Sequence, residues 1–151
     1  MREKFSEKFV TEHPEQLPAL TLAYIGDGYY ELVVRNRLLT EGARRVEELH
    51  TQAVALVRAG TQARLARALM PELSELENSV LHRGRNAKGQ HVPKGASVLE
   101  YRLSTGLEAL IGFWYLAGAE ERLSWAFAQL WRLNDEEPVR PREELEEEEN
   151  G

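Results

Sequence analysis

The stretch LTLAYIGDGYYELVV, Leu20 to Val34, sets a carboxylate, Asp27, between two glycines in the middle of an apolar run. Aspartate is almost never fully buried without a partner, and an unpaired buried carboxylate is strongly unfavourable. The segment has helical spacing, with Leu22, Ile25, Leu32 and Val33 on one side. In a helix interior each glycine is about 1 kcal/mol less favourable than alanine, so Gly26 and Gly28 together give up roughly 2 kcal/mol. A charge and two helix-weakening residues in one apolar helix point to a site rather than to a piece of core.

A second helix repeats the arrangement. Ser97 and Glu100 in SVLE form a capping box that starts a helix running to about Leu116 and ending at Gly118. Leu103, Leu107, Leu110 and Trp114 make one side apolar. The other side carries Tyr101, Ser104, Thr105, Glu108, Gly112 and Tyr115. On the first helix the corresponding stripe is Ala23, Tyr24, Asp27 and Glu31. If the two stripes face each other, Asp27 and Glu108 converge. Two carboxylates, with water and substrate phosphate completing the shell, suit a hard cation such as Mg²⁺. Such an ion supports phosphodiester hydrolysis. The spacing leaves another reading open: Asp27 as the partner of a neighbouring base, and Glu31 paired with Arg35 at i+4.

The remaining pattern is helical throughout, with no convincing strand. The first helix spans about Leu17–Leu39. A second starts near Arg45 and continues, as one helix or two, through Leu65 and Leu69, with Gly60 as a residue that permits a break. Pro71 suits the first turn of the next helix, whose apolar stripe is Leu73, Leu76, Val80 and Leu81. HRGRNAKGQHVPKGA, 82–96, reads as a turn-rich loop. A last amphipathic helix uses Leu123, Phe127, Leu130 and Trp131. The expectation is an all-α bundle.

Charge is unevenly shared. The 151-residue chain has a net charge of −6, but 135–151 holds nine acids and two bases, a net of −7. Residues 1–134 carry 17 bases and 16 acids. Two units follow: a domain at 1–134 and an acidic tail at 135–151 expected to be disordered. Within the near-neutral domain the 83–95 loop is locally basic, with Arg83, Arg85, Lys88, His91 and Lys94 and no acid, followed by Arg102. Such a patch suits a phosphate backbone. Aromatics do not interleave with its bases, so recognition of a duplex by shape fits better than single-strand stacking. The chain has no cysteine, which excludes a disulfide framework and a Cys-based zinc site. MREKFSEKF lacks the apolar core of a secretory signal, and no apolar run reaches membrane-spanning length. A cytoplasmic protein without membrane contact is expected. His13, His50, His82 and His91 have no ligand-like spacing, and GDG lacks the strand and third glycine of a dinucleotide loop.

LAYIGDGYYELVVRNRLL, RGRNAK, VPK and YRLSTGLEALIGFWYL, taken in order, resemble Mini-III, the short form of the ribonuclease III family. The match runs from about Leu17 to Trp131. The resemblance implies an all-helical ribonuclease III catalytic domain acting as a homodimer. It also implies no separate double-stranded-RNA-binding domain, for which this chain has no room. It implies a Mg²⁺-dependent endoribonuclease, with Mn²⁺ as a substitute, that matures the ends of precursor 23S ribosomal RNA. The products carry 5′-phosphate and 3′-hydroxyl ends. A ribosomal protein presenting the RNA is a further candidate partner.

Asp27 after IG and Glu108 before ALIG match the family's metal-holding acids. Arg83, Arg85, Asn86, Lys88, Lys94 and Arg102 would grip the RNA. Tyr101, Thr105 and Glu31 are supporting candidates. The longer enzymes carry two further acids where this chain has Ala23 and Thr105, so fewer carboxylates and more water surround the ion. Two rival readings stand beside this one. The first is a catalytically inactive ribonuclease III fold that binds ribosomal RNA. The second is a helical nucleotide pyrophosphohydrolase, which would need an E-x-x-E cluster on an amphipathic helix.

Overall fold

The computed structural model describes residues 11–88, 91–94 and 97–136. All regular structure among them is helical: α1 (Ala19–Thr40), α2 (Val46–Val57), α3 (Ala59–Leu69), α4 (Glu75–Arg85), α5 (Val98–Ala117) and α6 (Glu120–Glu136). Short 3₁₀ turns occupy Pro14–Gln16 and Met70–Glu72. No described helix is long and apolar enough to cross a membrane.

Helix α5 is the axis of the bundle. Every residue from Leu103 to Trp114 except Glu108 is buried, and α1, α3, α4 and α6 all pack on it. Of the side opposite Leu103, Leu107, Leu110 and Trp114, Ser104, Thr105 and Gly112 are buried too, and Tyr101, Glu108 and Tyr115 are half-buried. The Ser104 and Thr105 hydroxyls donate back to the Tyr101 carbonyl at 2.6 and 3.1 Å, so neither carries an unmet hydrogen bond into the core. Glycines allow this crowding. A Cβ on Gly26 of α1 would overlap the Glu108 carbonyl oxygen, and one on Gly112 of α5 would overlap the Leu22 carbonyl oxygen. On the other flank a Cβ on Gly84 of α4 would stand 2.8 Å from Ala109 Cβ. One on Gly106 would stand 2.6 Å from the Leu81 carbonyl oxygen. Helix α5 therefore lies in main-chain contact with α1 and with α4.

That contact sets the rotation of α1. Its buried residues are Leu22, Ala23, Gly26, Tyr30, Val34 and Leu38, centred on the face that holds Gly26. Of the apolar side expected from spacing, Leu22 is buried, Ile25 and Val33 are half-buried, and Leu32 is 66% exposed. The apolar residues alone misplaced the face, because the closest contact is made by a residue with no side chain.

Four boundaries differ from expectation. The break between α2 and α3 falls at Arg58, which is extended (φ −64°, ψ 156°), whereas Gly60 lies inside α3. Thr61 Oγ1 donates to the Ala55 carbonyl at 2.7 Å and Gln62 Nε2 to the Val57 carbonyl at 2.9 Å. These two side chains take the orphan carbonyls of α2 and hold the chain in its turn. Helix α4 starts at Glu75 rather than at Pro71, because Ser74 and Glu77 form a reciprocal capping box. It continues to Arg85, so Arg83 and Arg85 are helical and the loop begins at Asn86. At α5 the Ser97 hydroxyl accepts from Glu100 N at 3.4 Å, while the Glu100 carboxylate is turned toward Gly60. Gly118 closes α5 with φ +71°, and Ala119 N donates back to the Trp114 carbonyl at 2.9 Å. Helix α6 runs two residues past the expected boundary at 134; the rest of the acidic tail lies outside the described residues.

Glu77 ties α4, α5 and α6 together. It accepts from Trp114 Nε1 at 2.6 Å, from Arg122 Nε and Nη2 at 2.8 Å each, and from Ser74 N at 2.8 Å. The Arg122 guanidinium also lies over the Trp125 ring at 4.3 Å. Burial pushes the Glu77 carboxyl up, but the bonds from Arg122, Ser74 and Trp114 outweigh it and hold the pKa below the usual glutamate value. Glu77→Ala should lower stability by about 3 kcal/mol, since it strands Arg122 and Trp114 Nε1. A denaturant titration checks this. Because the folded-state pKa is depressed, the contribution is present above the ordinary pKa of 4.5 and is lost as pH falls through the lower, folded value.

Candidate active site

The crossing of α1 and α5 brings Asp27 and Glu108 together. Gly26 immediately precedes Asp27 and rests on the main chain of Glu108, so no side chain holds the two helices apart at this level. Asp27 is exposed and Glu108 half-buried. Burial, the adjacent Asp27, a hydrogen bond shared with Asp27, and Glu31 together push the Glu108 carboxyl up to about 9. Two acids are held side by side, one partly desolvated and the other open to solvent. Gly28, the second glycine beside Asp27, has nothing within 4 Å of a would-be Cβ; it belongs to the open face and not to the crossing.

Such a pair fits a hard divalent cation. Both donors are carboxylate oxygens, and a cation would offset the burial and the neighbouring negative charge that raise the Glu108 pKa. Among the described residues no three His, Cys, Asp or Glu side chains are close enough to hold one ion together. The two positions where the resemblance noted a missing acid, Ala23 and Thr105, are buried.

Glu31 is half-buried and pairs with Arg35 at 3.0 Å, as the i+4 alternative anticipated, yet it still acts on Glu108. Tyr30 is a neighbour that sequence reasoning passed over. It is fully buried, and its hydroxyl donates to the Leu56 carbonyl at 2.8 Å. Burial and the nearby Glu108 raise its pKa. Its place three residues after Asp27 was the available signal, but a tyrosine in an apolar run is indistinguishable from core packing.

Arg83 and Arg85 lie in the last turn of α4. Gly84 meets Thr105 and Gly106 of α5, so the last turn of α4 lies within one helical turn of Glu108. Arg85 is half-buried there, and Asn86, Lys88, His91, Lys94 and Arg102 are on or near the surface, all exposed. Tyr101 is half-buried. The Arg83 guanidinium donates to the Glu15 carbonyl at 2.6 Å and the Leu17 carbonyl at 3.0 Å, tying the segment before α1 to α4. Gly89 and Gly95 lie outside the described residues.

The ribonuclease III domain model matches residues 20–119, which include both acids and the α4–α5 loop. A Mini-ribonuclease 3 of Desulfitobacterium hafniense is 54% identical over 82% of this chain and 78% of that protein. One of Symbiobacterium thermophilum is 54% identical over 74% of this chain and 86% of that protein. The crystal structure of protein FN1578 from Fusobacterium nucleatum superposes with a TM-score of 0.73 at 28% identity, covering 81% of this chain and 98% of that one. Domain match and relatives agree: this chain belongs to the ribonuclease III family, in its Mini-ribonuclease 3 branch.

Proposed function

We propose that this ribonuclease is a Mg²⁺-dependent endoribonuclease of the cytoplasm, with Mn²⁺ as a substitute. It cleaves double-stranded RNA as a homodimer and matures the ends of precursor 23S ribosomal RNA. The observation that carries the reading is the glycine-mediated contact of α1 and α5, which joins Asp27 to Glu108 within a ribonuclease III fold. When bound, a divalent cation supplies Lewis acidity toward the scissile phosphate and neutralises developing charge. Asp27 and Glu108 would hold it through their carboxylate oxygens, with the exposed Asp27 on the side open to the incoming phosphate.

Arg83, Arg85, Asn86, Lys88, Lys94 and Arg102 bind the RNA backbone, and Tyr101 and Thr105 shape the approach to Glu108. Exposed Leu20, Tyr24, Leu32 and Leu39 on α1 and Val46 and Val54 on α2 support a twofold contact beside Asp27. A dimer would set one site on each strand of a duplex. A ribosomal protein is a candidate presenter of the RNA. The inactive-fold reading is disfavoured because both acids are present and adjacent. The pyrophosphohydrolase reading lacks its glutamate cluster among the described residues.

The test is cleavage of a duplex built from the two ends of precursor large-subunit RNA. Mg²⁺ should give cuts on both strands from a species of twice the chain's mass, and chelator should stop them. Binding without cutting would favour the inactive fold. Triphosphate turnover without RNA cleavage would favour the pyrophosphohydrolase.

A salt titration of RNA binding tests the basic residues. Each of Lys88→Ala, Lys94→Ala and Arg102→Ala should weaken binding to all sequences alike and reduce the salt slope by about one unit. Arg83→Ala should do the same and should also lower the melting temperature, since the Arg83 guanidinium is bonded to the Glu15 and Leu17 carbonyls.

A further inference from the structure

Arg58 stands between α2 and α3, and its type breaks two local preferences. It is the N-cap of α3 but makes no side-chain cap. Arginine is not among the favoured N-caps, and a cation at a helix N-terminus opposes the helix dipole. The turn closes without it, through the bonds of Thr61 and Gln62 to the Ala55 and Val57 carbonyls. Arg58 is exposed, its Nε reaches only Thr61 Oγ1, at 3.4 Å, and among the described residues it pairs with no acid. Local preferences broken without local compensation concentrate at functional positions.

Three contacts place Arg58 beside the acid pair. Helix α2 returns antiparallel along α1. Tyr30, one turn past Gly26, donates to the Leu56 carbonyl at 2.8 Å. Glu31, one turn past Asp27, lines the groove between the two helices together with Val57. The end of α2 therefore points toward Asp27. Two residues after Arg58, Gly60 lies against the Glu100 carboxylate, about two turns before Glu108 on α5. Arg58 thus leaves a fixed turn bracketed by the two helices that carry Asp27 and Glu108. The end of α4 meets α5 at Gly106, six residues after Glu100 and so about 120° around the helix from it. Arg58 and the α4–α5 loop flank the acids from different sides.

We propose that Arg58 binds a phosphate of the RNA backbone on the flank of the Asp27–Glu108 centre away from α4, so that the duplex is gripped on both sides of the acids. This rests on the duplex-RNA reading above. The planar fork of guanidinium donors suits phosphate oxygens, and a phosphate contact fixes the position of a duplex without reading its sequence. The rigid turn sets where that contact falls.

Binding of a blunt RNA duplex to the full chain in chelator, titrated with salt, tests this without cleavage. Arg58→Gln should weaken binding and reduce the slope of log affinity against log salt by about one unit, with an unchanged melting temperature. Arg58→Lys keeps the charge and should restore the slope. Arg67→Gln removes another exposed arginine, in the last turn of α3, and should leave the slope as in wild type. An unchanged slope in Arg58→Gln would overturn the proposal. An equal reduction in Arg67→Gln would make Arg58 one general surface charge among others and would overturn it as well. So would a lowered melting temperature with the slope kept, which would make Arg58 a structural part of the turn. A wild-type chain that does not bind the duplex would end the duplex-RNA reading itself. A reduced slope in Lys88→Ala beside an unchanged one in Arg58→Gln would spare that reading and remove Arg58 alone.

Discussion

Replacement of Asp27 or Glu108 by alanine should reduce duplex cleavage by at least about a hundredfold, the scale of losing one group that stabilises developing charge. The fold should remain intact. Asp27 is exposed and contributes nothing to the core. Glu108 opposes folding in the absence of a cation. Its folded-state pKa is raised to about 9, so between 4.5 and about 9 the folded chain binds a proton that the unfolded chain lacks. Stability then falls as pH rises through that window and levels off above it. At pH 7 the penalty is on the order of 3 kcal/mol.

Glu108→Gln should therefore be inactive yet more stable than wild type at pH 7 without divalent cation, with a flatter stability profile from pH 5 to 9. Mg²⁺ should raise the wild-type melting temperature by mass action and do little for Glu108→Gln. Single-turnover cleavage and thermal melts with and without Mg²⁺ provide both readouts. Full cleavage by either alanine variant would end the assignment of these acids. A destabilised Glu108→Gln would show that burial and the adjacent Asp27 do not raise the Glu108 pKa in the folded chain.

The second large effect concerns glycines. Gly26→Ala and Gly112→Ala each drive a methyl group into a backbone carbonyl, of Glu108 and of Leu22 respectively. Backbone cannot rotate away as a side chain can, so α1 and α5 must separate. Overpacking of this kind lowers stability by roughly 3 kcal/mol or more. Any protein that still folds has its acids displaced, and a misplacement near 1 Å can reduce the rate about a hundredfold. Gly28→Ala is the matched control on the same turn. With nothing within 4 Å, it should raise stability by about 1 kcal/mol through helix propensity and leave cleavage intact. Melting temperatures and cleavage rates of the three variants decide it. Equal destabilisation by Gly26→Ala and Gly28→Ala would show that the crossing is not where the close contact lies.

The two glycines beside Asp27 look alike in the sequence and differ wholly in the structure. That contrast marks the limit of one-dimensional reading. By itself the sequence determined the helical class, since apolar residues recur at helical spacing from Leu17 to Trp131. It determined the end of α5 at Gly118, where a left-handed residue is needed. It also singled out Asp27 and Glu108, because a carboxylate inside an apolar helix is too unfavourable to lack a reason.

The tertiary structure alone decided which face of α1 is buried. The approach of two main chains at Gly26 and Gly112 set that rotation, and apolar periodicity does not record contacts made by residues without side chains. It decided that α4 reaches Arg85 and that Arg83 serves the Glu15 and Leu17 carbonyls, because those partners lie more than sixty residues away along the chain. It decided the turn at Arg58, which rests on Thr61 and Gln62 capturing the carbonyls of Ala55 and Val57. It also decided the protonation of Glu108, because burial and the neighbouring charges of Asp27 and Glu31 arise only once α1 and α5 cross.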